Sequence, residues 1–177
     1  TKYIVEISEI GNGLILAEII ESFTAGVEPE VKVTLLQGLP KSKKLDLIVE
    51  KCTEVGIDKI IPANTKRSVV KLSSSKAQRR RDRWQRKAEA AAKQSQRAKI
   101  PTIAPLMDLA DIDQIAADYD LILCPWEAED EITLQEKLTT VANQDTIEKV
   151  LIIIGPEGGF AAAEIESVKQ AGAEIVT

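Results

Sequence analysis

Two short segments of the chain, residues 121–124 (LILC) and 150–154 (VLIII), are apolar at every position. A strand with one face in water alternates polar and apolar residues, so a strand without that alternation must be covered on both faces. Such strands belong to parallel sheets, whose crossover connections place helices above and below. The rest of the sequence agrees with an α/β reading. Residues 31–39 and 57–63 read as further strands. Between them, Leu45, Ile48, Val49, Cys52 and Val55 recur at helical spacing and stop at Gly56, a residue favoured just past a helix C-terminus. After three serines that offer an N-cap, residues 77–97 read as a long helix with Trp84, Ala88, Ala91 and Ser95 on a narrow stripe, ended by Pro101. Residues 132–142 and 161–172 read as two more helices, the second closed by Gly172, and residues 173–177 begin another strand.

Residues 1–30 differ. Two β-forming runs flank Gly-Asn-Gly, the pattern of a hairpin, and residues 24–30 (TAGVEPE) read as a linker. A lone two-stranded hairpin is marginal in water, so it must lean on something else. The remaining 147 residues, in a chain that is 44% hydrophobic, suffice for a buried core. No apolar run approaches the roughly 18 residues of a membrane span, and the first residues lack an export signal's pattern. The two cysteines, Cys52 and Cys124, are far apart, and the chain has no His, which removes Cys/His zinc sites and Cys-His nucleophiles. A reduced, cytoplasmic protein without metal or membrane is expected. Cys52 lies on the apolar stripe of its helix and reads as core.

Parallel sheets bind ligands beyond the carboxyl ends of their strands. Two segments deliver loops there: Leu-Ile-Leu-Cys-Pro at 121–125, followed by Trp126 and Glu127, and the run 150–154 followed by Gly-Pro-Glu-Gly-Gly. The glycines remove side chains and Pro156 fixes φ, so a ligand can approach a stiff backbone closely. A flat, partly polar molecule such as an adenosine fits that chemistry, and so does a ligand-free strand-to-helix turn. Phosphate binding does not fit, because neither G-x-x-x-x-G-K-[ST] nor G-x-G-x-x-G is present and Glu157 would repel a phosphate.

Charge supplies a second constraint. The chain carries −5 overall, yet residues 66–99 hold 13 Lys or Arg against only Asp82 and Glu89, a local +11. Arg83, Lys87, Gln94 and Arg97 fall on one helical stripe, with Arg79 and Arg80 a turn earlier and Lys66, Arg67 and Lys71 nearby. A polyanion would be drawn to that field, although a solvated helix face has the same pattern. Few aromatic residues accompany it, which favours backbone and shape contacts over base stacking.

Four blocks in order, "EKCTEVGIDKIIPANTKRSVVKL", "RWQRKAEAAAKQSQRAKIP", "LILCPWE" and "VLIIIGPEGGFAAAEI", resemble the bacterial 16S ribosomal RNA uridine-N3-methyltransferases (RsmE-like) of the SPOUT superfamily. The resemblance implies a SPOUT-type α/β fold: a trefoil-knot parallel sheet with helices on both faces, preceded by part of a small PUA-like β-barrel. Residues 1–30 would be the partial barrel and 31–177 the methyltransferase domain. It implies S-adenosylmethionine as cofactor, a homodimer, and 16S ribosomal RNA or the small ribosomal subunit as partner. Leu123, Cys124 and Pro125 would line one side of the methyl donor, and Gly155, Pro156, Glu157, Gly158 and Gly159 another. Arg67, Ser68, Lys71, Arg83, Gln94 and Arg97 would face the RNA.

The sequence departs from the family pattern in three places. Fewer barrel strands precede residue 31, Ala161 stands where relatives carry a Ser or Thr cap, and no block like L-G-x-R-I-L-R-x-E-T-A follows residue 177. Since that block closes the family's cofactor pocket, these 177 residues alone are expected to bind the donor poorly. The expected activity is methyl transfer to N3 of a uridine. The alternatives are a non-catalytic RNA-binding protein and a related enzyme acting on a ribose 2′-hydroxyl or on tRNA. The sequence leaves the general base open among a carboxylate, water, and an imide acidified by a nearby Arg.

Overall fold

The computed structural model describes residues 2–23, 28–70, 72–130, 132–142 and 147–177. Lys71, expected at the RNA face, and residues 24–27 of the expected linker lie outside them.

The two runs that flank Gly-Asn-Gly form antiparallel strands β1 (Lys2–Gly11) and β2 (Leu14–Phe23). Asn12 and Gly13 both have positive φ, 48° and 75°, the signature of a type I′ hairpin turn. Tyr3, Val5, Ile7, Ile10, Leu16, Ile19 and Phe23 remain exposed on this ribbon.

The other strands are β3 (Lys32–Gly38), β4 (Lys59–Asn64), β5 (Thr102–Ile103), β6 (Met107–Asp108), β7 (Leu121–Pro125), β8 (Lys149–Ile154) and β9 (Glu174–Val176). They form one seven-stranded sheet in the order β5-β4-β3-β8-β7-β9, with β6 also beside β4. Every pairing in it is parallel. The helices are α1 (Lys44–Val55), α2 (Ser74–Gln94), α3 (Asp113–Ala116), α4 (Leu134–Val141) and α5 (Ala162–Gln170), with a 3-10 turn at Leu109–Asp111. The expected α/β class, with a small antiparallel sheet in front of a parallel one, is borne out.

Successive residues of the apolar strands serve opposite faces. Leu36, Leu151, Ile153 and Cys124 pack with Ile112, Ile165 and Val168 around α3 and α5. Leu35 and Ile60 pack with Leu45, Val49, Trp84 and Ala88 of α1 and α2. Leu121, Leu123, Val150 and Val176 form a third cluster beside Val141 of α4. Segment 101–119 carries the two shortest strands of the sheet. Its strands are two residues each and Pro105 separates them, too short for any periodicity to register.

The charged stripe of α2 lies along α1. Arg83 Nη2 donates to Asp46 Oδ1 at 2.5 Å, and the indole of Trp84 donates to the same oxygen at 2.9 Å. Lys87 pairs with Glu50 at 3.9 Å. Arg97, expected to face RNA, is turned inward, with a side chain only 8% exposed. Its guanidinium donates to Glu28 Oε2 at 2.6 Å and to the carbonyls of Ile57 at 2.7 Å and Thr53 at 3.1 Å. The amides of Ala98 and Lys99 add two donors to Glu28 Oε1 at 2.8 and 3.0 Å. Burial opposes ionisation of Glu28, but the hydrogen bonds from Arg97, Lys99 and Ala98 outweigh it and hold the carboxyl below its ordinary range. Next to it, Gly56 caps α1 with φ at 110°, and a Cβ there would stand 2.7 Å from Pro29 Cγ. Glu28 and Pro29 are therefore clamped against the ends of α1 and α2.

Arg97→Ala would leave the largely buried Glu28 carboxylate without its cation. A loss of about 3 kcal/mol of stability is expected by urea unfolding, the scale for breaking one side of a buried pair. A loss below about 0.5 kcal/mol would return Arg97 to the class of surface cations.

Candidate functional site

The parallel register brings the carboxyl ends of β3, β4, β7, β8 and β9 to one edge of the sheet. Loop 155–159 leaves β8 there, and its shape is set by close backbone approach. A Cβ on Gly38, the last residue of β3, would stand 2.7 Å from Pro156 Cδ and 2.9 Å from Pro156 N. One on Gly155 would stand 3.2 Å from the Gly159 backbone, where the loop doubles back. Gly159 closes a turn by donating its amide to the Pro156 carbonyl at 2.8 Å, with φ at 64°, a conformation that favours glycine. Phe160 then enters the core and fixes the exit of the loop.

Three side chains tie this loop to its surroundings. Gln37, only 4% exposed, donates Nε2 to the carbonyls of Gly155 and Gly38, both at 3.0 Å. Glu157 reaches the segment that follows β3, accepting from the Lys41 amide at 3.2 Å and pairing with Lys44 at 3.0 Å. Its own backbone amide, then the Lys44 ammonium, pull its carboxyl down to about 2. Arg67 Nη1 donates to the Gly158 carbonyl at 2.7 Å.

Gly158 and Gly159 face outward. A Cβ on Gly158 would meet only the stem of Arg67, at an ordinary 3.6 Å. One on Gly159 would have the Glu127 carboxylate at 3.8 Å and the Arg67 guanidinium at 3.9 Å. The loop thus offers a backbone surface clear of its own side chains, flanked by one carboxylate and one cation.

Of the other residues expected around a donor, Leu123 and Cys124 turn their side chains into the core. Burial pushes the Cys124 thiol up to about 12, so it stays protonated and is no nucleophile. Pro125 ends β7 opposite Val176 of β9, and the Trp126 amide donates to the Val176 carbonyl at 2.9 Å.

On the basic side, the Ser68 amide donates to the Thr65 carbonyl at 3.1 Å, which makes 65–68 a tight turn with Lys66 and Arg67 exposed at its tip. Ser68 itself is buried; its Oγ accepts from the Thr65 amide at 3.2 Å, so it shapes the turn. Arg83 and Gln94 remain exposed on α2, about the α1 side, well apart in sequence from the turn. Lys76, Arg79, Arg86 and Lys93 are exposed as well.

Gln37, Glu28 and Glu164 escaped the sequence reading. Each left a trace: Gln37 is the lone amide in an apolar run, Glu28 follows the hairpin among linker residues, and Glu164 stands three positions after the α5 N-cap, where a back-bonding carboxylate belongs.

A family model described as the RNA methyltransferase domain matches residues 27–177. The chain belongs to that family. The match bears out the resemblance drawn from the four sequence blocks. Among relatives of this RNA methyltransferase domain, the ribosomal RNA small subunit methyltransferase E of Bacillus subtilis is 32% identical over 169 residues. That alignment covers 93% of this chain and 65% of the relative, so the chain spans about two thirds of the relative's length. A crystal structure of a hypothetical protein superposes with a TM-score of 0.88 at 30% identity, over 97% of this chain and 68% of that one. The ribosomal RNA small subunit methyltransferase E of Neisseria gonorrhoeae, solved bound to S-adenosyl methionine, has the same fold, with a TM-score of 0.82 at 22% identity over 99% of this chain and 69% of that one.

The ionisation of Glu157 gives a pH test of the loop's anchorage. Because its carboxyl falls from 4.5 to about 2 on folding, its stabilising contribution is present above about pH 4.5 and is lost as pH falls toward 2. Glu157→Gln should therefore be less stable than the parent at pH 7 by chemical denaturation, with the gap narrowing below pH 4.5. A gap that stays constant with pH would show that the carboxylate's charge contributes nothing.

Proposed function

We propose that this RNA methyltransferase domain transfers a methyl group from S-adenosylmethionine to N3 of a uridine in 16S ribosomal RNA. The observation that carries the reading is loop 155–159, whose outward backbone at Gly158 and Gly159 carries no side chain of its own and is flanked by Arg67 and Glu127. A cradle that a Cβ would fill suits the adenosine end of such a donor, held by main-chain amides and carbonyls. The names of the relatives support the ribosomal small-subunit substrate, and the ligand of the Neisseria gonorrhoeae structure supports the donor.

S-adenosylmethionine supplies a methyl group on a sulfonium, which departs as a neutral thioether. The uracil imide carries its proton on N3 at neutral pH and must release it as the new N–C bond forms. With no His in the chain, a carboxylate or water accepts that proton, and Glu127 beside Gly159 supports the carboxylate. On the same side, the Arg67 guanidinium lowers the energy of the developing imide anion. Holding both reactants in line supplies the remainder.

Lys66 and Arg67 on their turn, with Lys76, Arg79, Arg86 and Lys93 along α2, form the RNA face of this reading. Arg83 and Gln94 contribute at its margin, and Arg97 acts from within by bracing the linker. Residues 1–30 belong to a PUA-like RNA-binding barrel, consistent with a ribbon whose apolar residues lie exposed. A knotted, homodimeric, cytoplasmic enzyme completes the proposal.

Gly158→Val has room for its Cβ and should fold normally, yet its methyls would occupy the cradle. In the full-length protein, calorimetry should show loss of S-adenosylhomocysteine binding with RNA affinity retained. Nucleosides from treated small-subunit RNA should contain 3-methyluridine. A 2′-O-methyl product would overturn the assigned reaction, and wild-type protein that binds RNA but no donor would make this an RNA-binding module.

A further inference from the structure

Between the basic turn and the donor loop sits a buried carboxylate that the mechanism does not use. Glu164, on the first turn of α5 and 7% exposed, accepts from two backbone amides. Oε2 takes the Ala161 amide at 2.9 Å, the position where a Ser or Thr cap would ordinarily act. Oε1 takes the Lys66 amide at 2.7 Å, across 98 residues of sequence. Lys66 and Arg67 occupy the tip of turn 65–68, and Arg67 in turn holds the Gly158 carbonyl at 2.7 Å. The turn is thus tied twice to the donor loop: at the end where the loop becomes α5, through Glu164, and at its apex, through Arg67. Both ties are to backbone, so neither the turn nor the loop can shift without breaking a short hydrogen bond.

We propose that Glu164 is a positioning residue that locks the basic turn to the donor loop, so that donor binding and RNA binding strengthen each other. The proposal rests on the methyltransferase reading. A donor seated on Gly158 and Gly159 fixes the carbonyl that Arg67 grips, and the anchored Lys66 amide then presents both cations to RNA without a second ordering cost. RNA seated first has the same effect on the loop. Such coupling must be reciprocal: the factor by which donor product tightens RNA must equal the factor by which RNA tightens donor product.

The test is the RNA dissociation constant of the full-length protein, with and without saturating S-adenosylhomocysteine, and the converse titration. For wild type, S-adenosylhomocysteine should tighten RNA binding about fivefold or more, the lower end of ordinary coupling, with the same factor in the converse titration. In Glu164→Ala that factor should fall to about one, at a melting temperature that keeps the protein folded. Glu164→Gln, which keeps the length but turns an NH2 toward one of the two amides, should fall between. A general loss of packing would weaken each affinity without removing their mutual dependence. If Glu164→Ala does not fold, Glu164→Gln decides alone. An unchanged factor in a folded variant overturns the proposal, as does a wild-type factor of one with S-adenosylhomocysteine bound. Wild-type protein that binds no S-adenosylhomocysteine removes the methyltransferase reading and the proposal together, an outcome distinct from a factor of one.

Discussion

Burial of β8 between two parallel neighbours is the constraint on which the rest of the molecule depends. The strand is hydrogen-bonded to β3 on one side and β7 on the other, and both of its faces are covered. A strand held on four sides cannot adjust its position, so the loop that follows it starts from a fixed point. The same register carries Gly38 to a point where only hydrogen fits beneath Pro156. Rigidity of the loop is therefore borrowed from the sheet, and Gln37 transmits it by hydrogen-bonding the carbonyl at the loop's first residue. A surface built from backbone holds a small ligand only if that backbone does not relax, which is why a central strand of the sheet and the candidate cradle are adjacent.

Much of this was legible in the sequence because burial on both faces writes itself as unbroken apolarity. Residues 121–124 and 150–154 could be nothing else, and the helices between the strands showed their period and their Gly56 and Gly172 stops. The hairpin turn was equally plain, since Asn-Gly supplies the two positive φ angles it needs. Elements β5 and β6 were not legible, because two-residue strands have no period and are defined only by pairing with β4. The site divided in the same way. Loop 155–159 announced itself by composition, whereas Gln37 and Glu164 act by reaching residues more than 90 positions away, and single-sequence patterns carry no such distances.

The basic segment shows where charge counting and structure part. A net +11 over residues 66–99 is correct as a sum, but the molecule sorts the charges by partner. Asp46 takes Arg83, Glu50 lies by Lys87, and Glu28 takes Arg97. The stripe that helical spacing selected as one face is the seam against α1, chosen by the same periodicity that would have placed it toward solvent. Cations off that seam, with Lys66 and Arg67 on their turn, carry the exposed field.

At Gly56, the feature that matters is an absent atom. Helix α1 ends on a residue whose missing Cβ leaves a notch, and Pro29 fills it at a distance no methyl group would permit. Notch and proline together act as an index mark, setting where the segment after the ribbon meets the parallel sheet's helices. One residue inserted between Glu28 and Pro29 would displace one of the two by about 3.3–3.6 Å, more than the hydrogen-bond reach of Glu28. The chain's entry to the parallel sheet is thus specified by the spacing of Glu28 and Pro29 as well as by their chemistry.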